Sequence, residues 1–124
     1  MLSDKHKKKQ EKFSRQKKSH PEFISAVHQK NLLSIIEFLD SGISVDSINA
    51  KDKKSAAHIA CELGDLEVIN LLDSYEIDWE AKDQENLTPL FSAVEGGNIE
   101  ILKFLNSKNV DLEHKDFQER YFIF

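Results

Sequence analysis

Slid along itself by 33 residues, the second half of this chain falls onto its own middle without a gap. Ser55 to Asp83, SAAHIACELGDLEVINLLDSYEIDWEAKD, lies over Thr88 to Asp116, TPLFSAVEGGNIEILKFLNSKNVDLEHKD. Identities include Ala60 with Ala93, Gly64 with Gly97, Glu67 with Glu100 and Leu72 with Leu105. Asp78 also pairs with Asp111, Glu80 with Glu113, and Lys82-Asp83 with Lys115-Asp116. Other pairs keep their character, as Leu66 does with Ile99 and Leu71 with Phe104. A more worn copy precedes these, Phe23 to Asp46, with Ala26 lying 34 residues before Ala60. After Asp116 a fourth copy starts as FQERYFIF. A period of this length constrains the fold more than any other feature, because one repeat must be one small supersecondary unit.

The residues within a unit say what that structure is. Ser55 and Thr88 are good helix N-caps, and Pro89 follows at a position where its missing N–H costs nothing. Small residues Ala57, Ala60, Cys61 and Ala93 on the ensuing two-turn helix let a neighbour approach closely. Gly64 and Gly97 end it in left-handed geometry. Asp65 and Asn98 then cap a second helix, with an apolar face expected at Leu66, Ile69, Leu72 and at Ile99, Leu102, Leu105. The polar loop Asp83-Gln84-Glu85-Asn86 leads onward, with Asn86 suited to a positive φ. The spacing predicts helix pairs near residues 22–40, 56–73 and 89–106. So short a pair cannot bury its apolar face alone and must stack on copies of itself.

The run T-P-L-x-x-A from Thr88 to Ala93, followed by G-x-x-E-x-L, closely resembles the ankyrin repeat. The second unit keeps that signature's His at His58 and its Ala at Ala60, but has Ser55, Ala56 and Ala57 for Thr, Pro and Leu. The third has Phe91 in the His place, and the first has Lys30 and Asn31 for the Gly and cap. The resemblance spans about residues 21–116. It implies an all-α solenoid of stacked helix-turn-helix units with short β-hairpin-like fingers along one edge. It also implies a structural His58 bonded to nearby backbone, and a protein partner held by finger tips and first helices.

Charge divides the chain. Residues 1–20 carry eight Lys and Arg against two acidic residues, and residues 21–124 carry nine against twenty, so +6 and −11 combine to the net −5. Domain limits follow: a basic tail at 1–19, an ankyrin domain at 20–114 (repeats 20–49, 50–81 and 82–114), and the start of a truncated fourth repeat at 115–124. The Lys-rich run from Lys5 to Lys18 suits nuclear import, nucleic acid, an anionic membrane, or simply a solvated arm. Its single aromatic residue, Phe13, supports base stacking poorly. No apolar run reaches the ~18–20 residues of a membrane span, and no apolar stretch follows the Lys-rich start as in a secretory signal. A lone Cys61 cannot form an intramolecular disulfide, so the expected setting is intracellular, cytoplasmic or nuclear.

Chemistry-bearing patterns are missing. None of the five histidines stands at ligand spacing with a second ligand. There is no phosphate loop, nucleophile elbow or Cys–His motif. Trp79 invites reading as a binding hot spot, but Val45 and Leu112 hold its place in the other copies, which favours core. The expectation is therefore a non-enzyme with no catalytic, cofactor or metal residues: an adaptor or inhibitor whose acidic body prefers a basic partner surface. The alternative is the N-terminal fragment of a longer ankyrin-containing enzyme or channel. Expected partner contacts are His28, Ile59, Glu62, Leu63, Ser92 and Glu95 on the concave side, with Lys53, Gln84 and Glu85 on the fingers. Tyr121 to Phe124 align with Thr88 to Phe91 at a helix start, predicting either an aromatic stub that folds back or an open apolar patch for self-association.

Overall fold

The computed structural model describes residues 20–110 and two short strands, Glu113–Lys115 and Tyr121–Ile123. The basic tail lies outside the described residues. Six helices follow in antiparallel pairs: α1 (Pro21–His28) with α2 (Leu32–Asp40), α3 (Ala56–Leu63) with α4 (Leu66–Ser74), and α5 (Pro89–Gly96) with α6 (Ile99–Ser107). First helices stack directly, α1 on α3 and α3 on α5, and each is backed by its own second helix. This is an all-α solenoid, and all three helix pairs fall at the expected places.

Local chemistry explains where each helix begins and stops. Asp65 Oδ1 accepts the backbone N–H groups of Glu67 and Val68 at 2.9 and 3.3 Å, and Asn31 Oδ1 accepts that of Ser34 at 3.2 Å. Asn98 stands at the N-cap of α6 but makes no such bond. Its amide instead lies over Gly64 of the preceding unit, where a Cβ would come within 2.5–2.7 Å of it. Gly64 and Gly97 take φ values of 70° and 67°, as their sequence positions require.

The repeat is also written in the backbone. Positive φ among the described residues recurs in register: Lys30, Gly64 and Gly97 after the first helices, Gly42, Glu76 and Asn109 after the second, Lys53 and Asn86 in the fingers. Lys30, at 56°, performs a turn for which glycine is better suited, because a Cβ crowds the left-handed conformation.

Six consecutive residues of α3, Ala56 to Cys61, are buried. A helix with neighbours on three sides has no apolar stripe; it is apolar nearly all round. Ala60 and Ala93 are wholly enclosed, as their small size predicts. The second helices bury Val68, Ile69 and Leu72, and Ile101 and Leu105. The expected apolar face is corrected at one position per repeat, because Leu66 (39% exposed) and Ile99 (66%) sit in the first turn and project beyond the contact. Trp79 is buried, donates Nε1–H to Asp73 Oδ1 at 2.9 Å, and meets the Phe104 ring edge-on at 5.2 Å.

At the far end, Glu113–Lys115 and Tyr121–Ile123 pair antiparallel, with His114 opposite Phe122. The alignment had set residues 121–124 at a helix start. Tyr121–Ile123 instead lie extended, and pairing with Glu113–Lys115 satisfies backbone groups across the two strands.

Candidate functional site

Successive units meet through the fingers. Between α2 and α3 the chain doubles back at Ile48 and Ser55, with Asn49 N–H donating to Lys54 O at 2.8 Å. Aspartates stiffen both turns: Asp52 Oδ1 accepts Lys54 N–H at 3.0 Å, and Asp83 Oδ1 accepts those of Glu85 and Leu87 at 2.8 and 3.0 Å. Gln84 N–H donates to Asp52 O at 2.9 Å, so one finger registers the next.

His58 secures the junction from below. Ser55 N–H donates to its Nδ1 at 3.1 Å, while Nε2 lies 2.8 Å from the Leu87 carbonyl. An N–H can only donate and a carbonyl can only accept, so the ring is the neutral tautomer protonated at Nε2. Burial lowers its pKa below the ordinary 6.5, opposed by the Leu87 carbonyl. Cys61 is enclosed nearby, and burial pushes its thiol up to about 12, away from nucleophilic use.

A family model of ankyrin repeats, in three copies, matches residues 23–116. The chain belongs to the ankyrin-repeat family. No curated protein matches the sequence closely. Ankyrin repeats are general protein-interaction modules and carry no catalytic machinery of their own. No helix of the described residues is long and apolar enough to cross a membrane.

On this ankyrin scaffold the contact residues expected from sequence divide into three sets. His28, Glu62 and Glu95 occupy equivalent places near the ends of α1, α3 and α5, and all three are exposed. Lys53, Gln84 and Glu85 are exposed on the fingers. The remaining three require correction. Ile59 and Ser92 are buried, and Leu63 is half-buried against the core. Helix α3 is enclosed on too many sides to offer Ile59 to solvent, and Ser92 opens only onto a groove, so an Ile59–Leu63 apolar anchor is not available.

The structure does bring Glu85, Ser92 and Glu95 together. They line a groove of about 260 Å³ between the second finger and α5. Asp83 and Lys54 add one charge of each sign, and Leu87 and Phe91 supply apolar wall. Sequence reasoning had passed over these four. Phe91 carried a signal, since it replaces the signature His, but what it faces depends on the finger's fold.

Proposed function

We propose that this chain is a non-enzymatic adaptor or inhibitor whose ankyrin domain, residues 20–114, takes a partner with a basic surface on its concave face. The observation that carries the reading is the exposed row of His28, Glu62 and Glu95, which runs across all three first helices and ends beside the carboxylate-lined groove. Opposite charge across such a face accelerates association and selects partners more than it deepens affinity. The single buried thiol favours an intracellular setting.

The test is an affinity pull-down with the full chain, repeated with Glu62→Lys, Glu85→Lys and Glu95→Lys combined. These side chains are exposed, so thermal stability is unchanged while partner capture is lost. Capture that survives the triple reversal and 0.5 M salt would remove the acidic face from the reading.

A further inference from the structure

We infer that the groove between the second finger and α5 is a pocket for one arginine side chain of the bound partner. This deepens the proposed function and rests on its premise that a protein occupies the concave face. Three observations converge. The lining carries three carboxylates, Asp83, Glu85 and Glu95, against one ammonium, Lys54. Asp83 and Glu85 stand on the finger and Glu95 on α5, so carboxylates line the groove from two separate elements.

The second observation is independent of charge. Ser92 is only 6% exposed, lines the groove, and makes no hydrogen bond through its hydroxyl among the described residues. Its oxygen therefore has acceptor capacity facing the groove that an incoming N–H donor can take up. The third is size and lining. At about 260 Å³ the groove falls below the ~300–1,000 Å³ of small-molecule sites, and Leu87 and Phe91 suit an aliphatic stem. Guanidinium fits better than ammonium. It presents five N–H donors in a rigid fork, can serve two carboxylates and a hydroxyl at once, and is more weakly hydrated.

The probe is N-acetyl-argininamide, titrated into the isotope-labelled full chain and followed by amide resonances. The expected result is saturable shifts centred on Phe91, Ser92 and Glu95. Binding should be at least fivefold tighter than for the capped lysine analogue and lost in the Glu85→Gln/Glu95→Gln double variant. Amide dispersion elsewhere, including around His58, checks that this variant remains folded. The inference is overturned if arginine and lysine analogues bind alike, if shifts spread evenly over the acidic surface, or if none saturate. It is equally overturned if the double variant binds unchanged. Such a result leaves the pull-down above untouched, so the pocket and the wider reading fail separately.

Discussion

The imidazole of His58, on the first helix of the second repeat, reaches 2.8 Å to the carbonyl of Leu87, at the base of the finger leading into the third. Its other nitrogen holds the N–H of Ser55, so one neutral ring satisfies backbone groups of two repeats. Protonation at Nδ1 would set two hydrogens against each other and leave the Ser55 N–H buried without an acceptor.

Stability should therefore depend on pH through this ring. The folded-state pKa lies below 6.5, so folded and unfolded chains are both neutral at higher pH and the contribution is complete there. As pH falls below about 6.5, the unfolded chain takes up a proton that the folded one refuses, and stability declines. His58→Phe, which copies Phe91 of the third repeat, should cost about 1–3 kcal/mol at pH 7 by leaving the buried Ser55 N–H without an acceptor, while the Leu87 carbonyl keeps the Asp83 N–H. It should also flatten the decline between pH 7 and 5. Urea titrations of both proteins at the two pH values check this.

Lys30→Gly should stabilise the chain by about 0.5–1 kcal/mol. The φ of 56° at Lys30 crowds a Cβ that glycine lacks, and the greater entropy of unfolded glycine offsets only part of that relief. A variant less stable than the parent in thermal unfolding would show that the Lys30 side chain contributes more than its backbone costs.

Gly64→Ala and Gly97→Ala separate conformation from space. Both glycines have φ near 70°, so both substitutions should lose about 1 kcal/mol to left-handed strain. Only at Gly64 does the new Cβ also meet the Asn98 amide, and nothing lies within 4 Å at Gly97. Gly64→Ala should be the more damaging. Equal losses in denaturant would mean that Asn98 swings aside freely.

Ala93→Leu should overpack the closed seam between α3 and α5 and cost about 1–3 kcal/mol. Ala93 is fully enclosed, and three added carbons can enter only by moving a helix. An unchanged melting temperature would contradict the packing register of these helices.

Cys61 should resist Ellman's reagent at pH 8 in the native chain and react stoichiometrically in denaturant. Burial suppresses the thiolate and bars the reagent. Rapid labelling under native conditions would reveal local opening of α3.

Much of the fold can be read from residues whose chemistry is local. Gly64 and Gly97 announce helix ends, Asp65 a helix start, and Asn86 a left-handed turn, because each requirement lies in one residue's own backbone or cap. Lys30 and Glu76 take the same left-handed geometry without showing it in their type. Their conformation is imposed by the stack and visible only by alignment with the glycines. The site was less legible. Ile59 and Ser92 were expected at the surface on the assumption that one side of a two-turn helix faces solvent. How many sides remain open is decided by neighbours more than 25 residues away. The groove itself exists only because a finger folds over α5, which no single repeat discloses.

Among the described residues, side-chain bonds clasp each repeat to its neighbour. Tyr75 reaches Asp40, Asp78 reaches Asp46, and Lys108 reaches Asp73, spanning 35, 32 and 35 residues. A chain fastened in this way, held by its two ends and drawn apart, is tied repeat by repeat. It should yield in steps, one repeat at a time, each releasing about 110 Å of slack for roughly 33 residues at ~3.4 Å apiece. Mechanically this protein is a short spring of separable coils, and a partner laid across all three first helices would be the one element that makes them give way together.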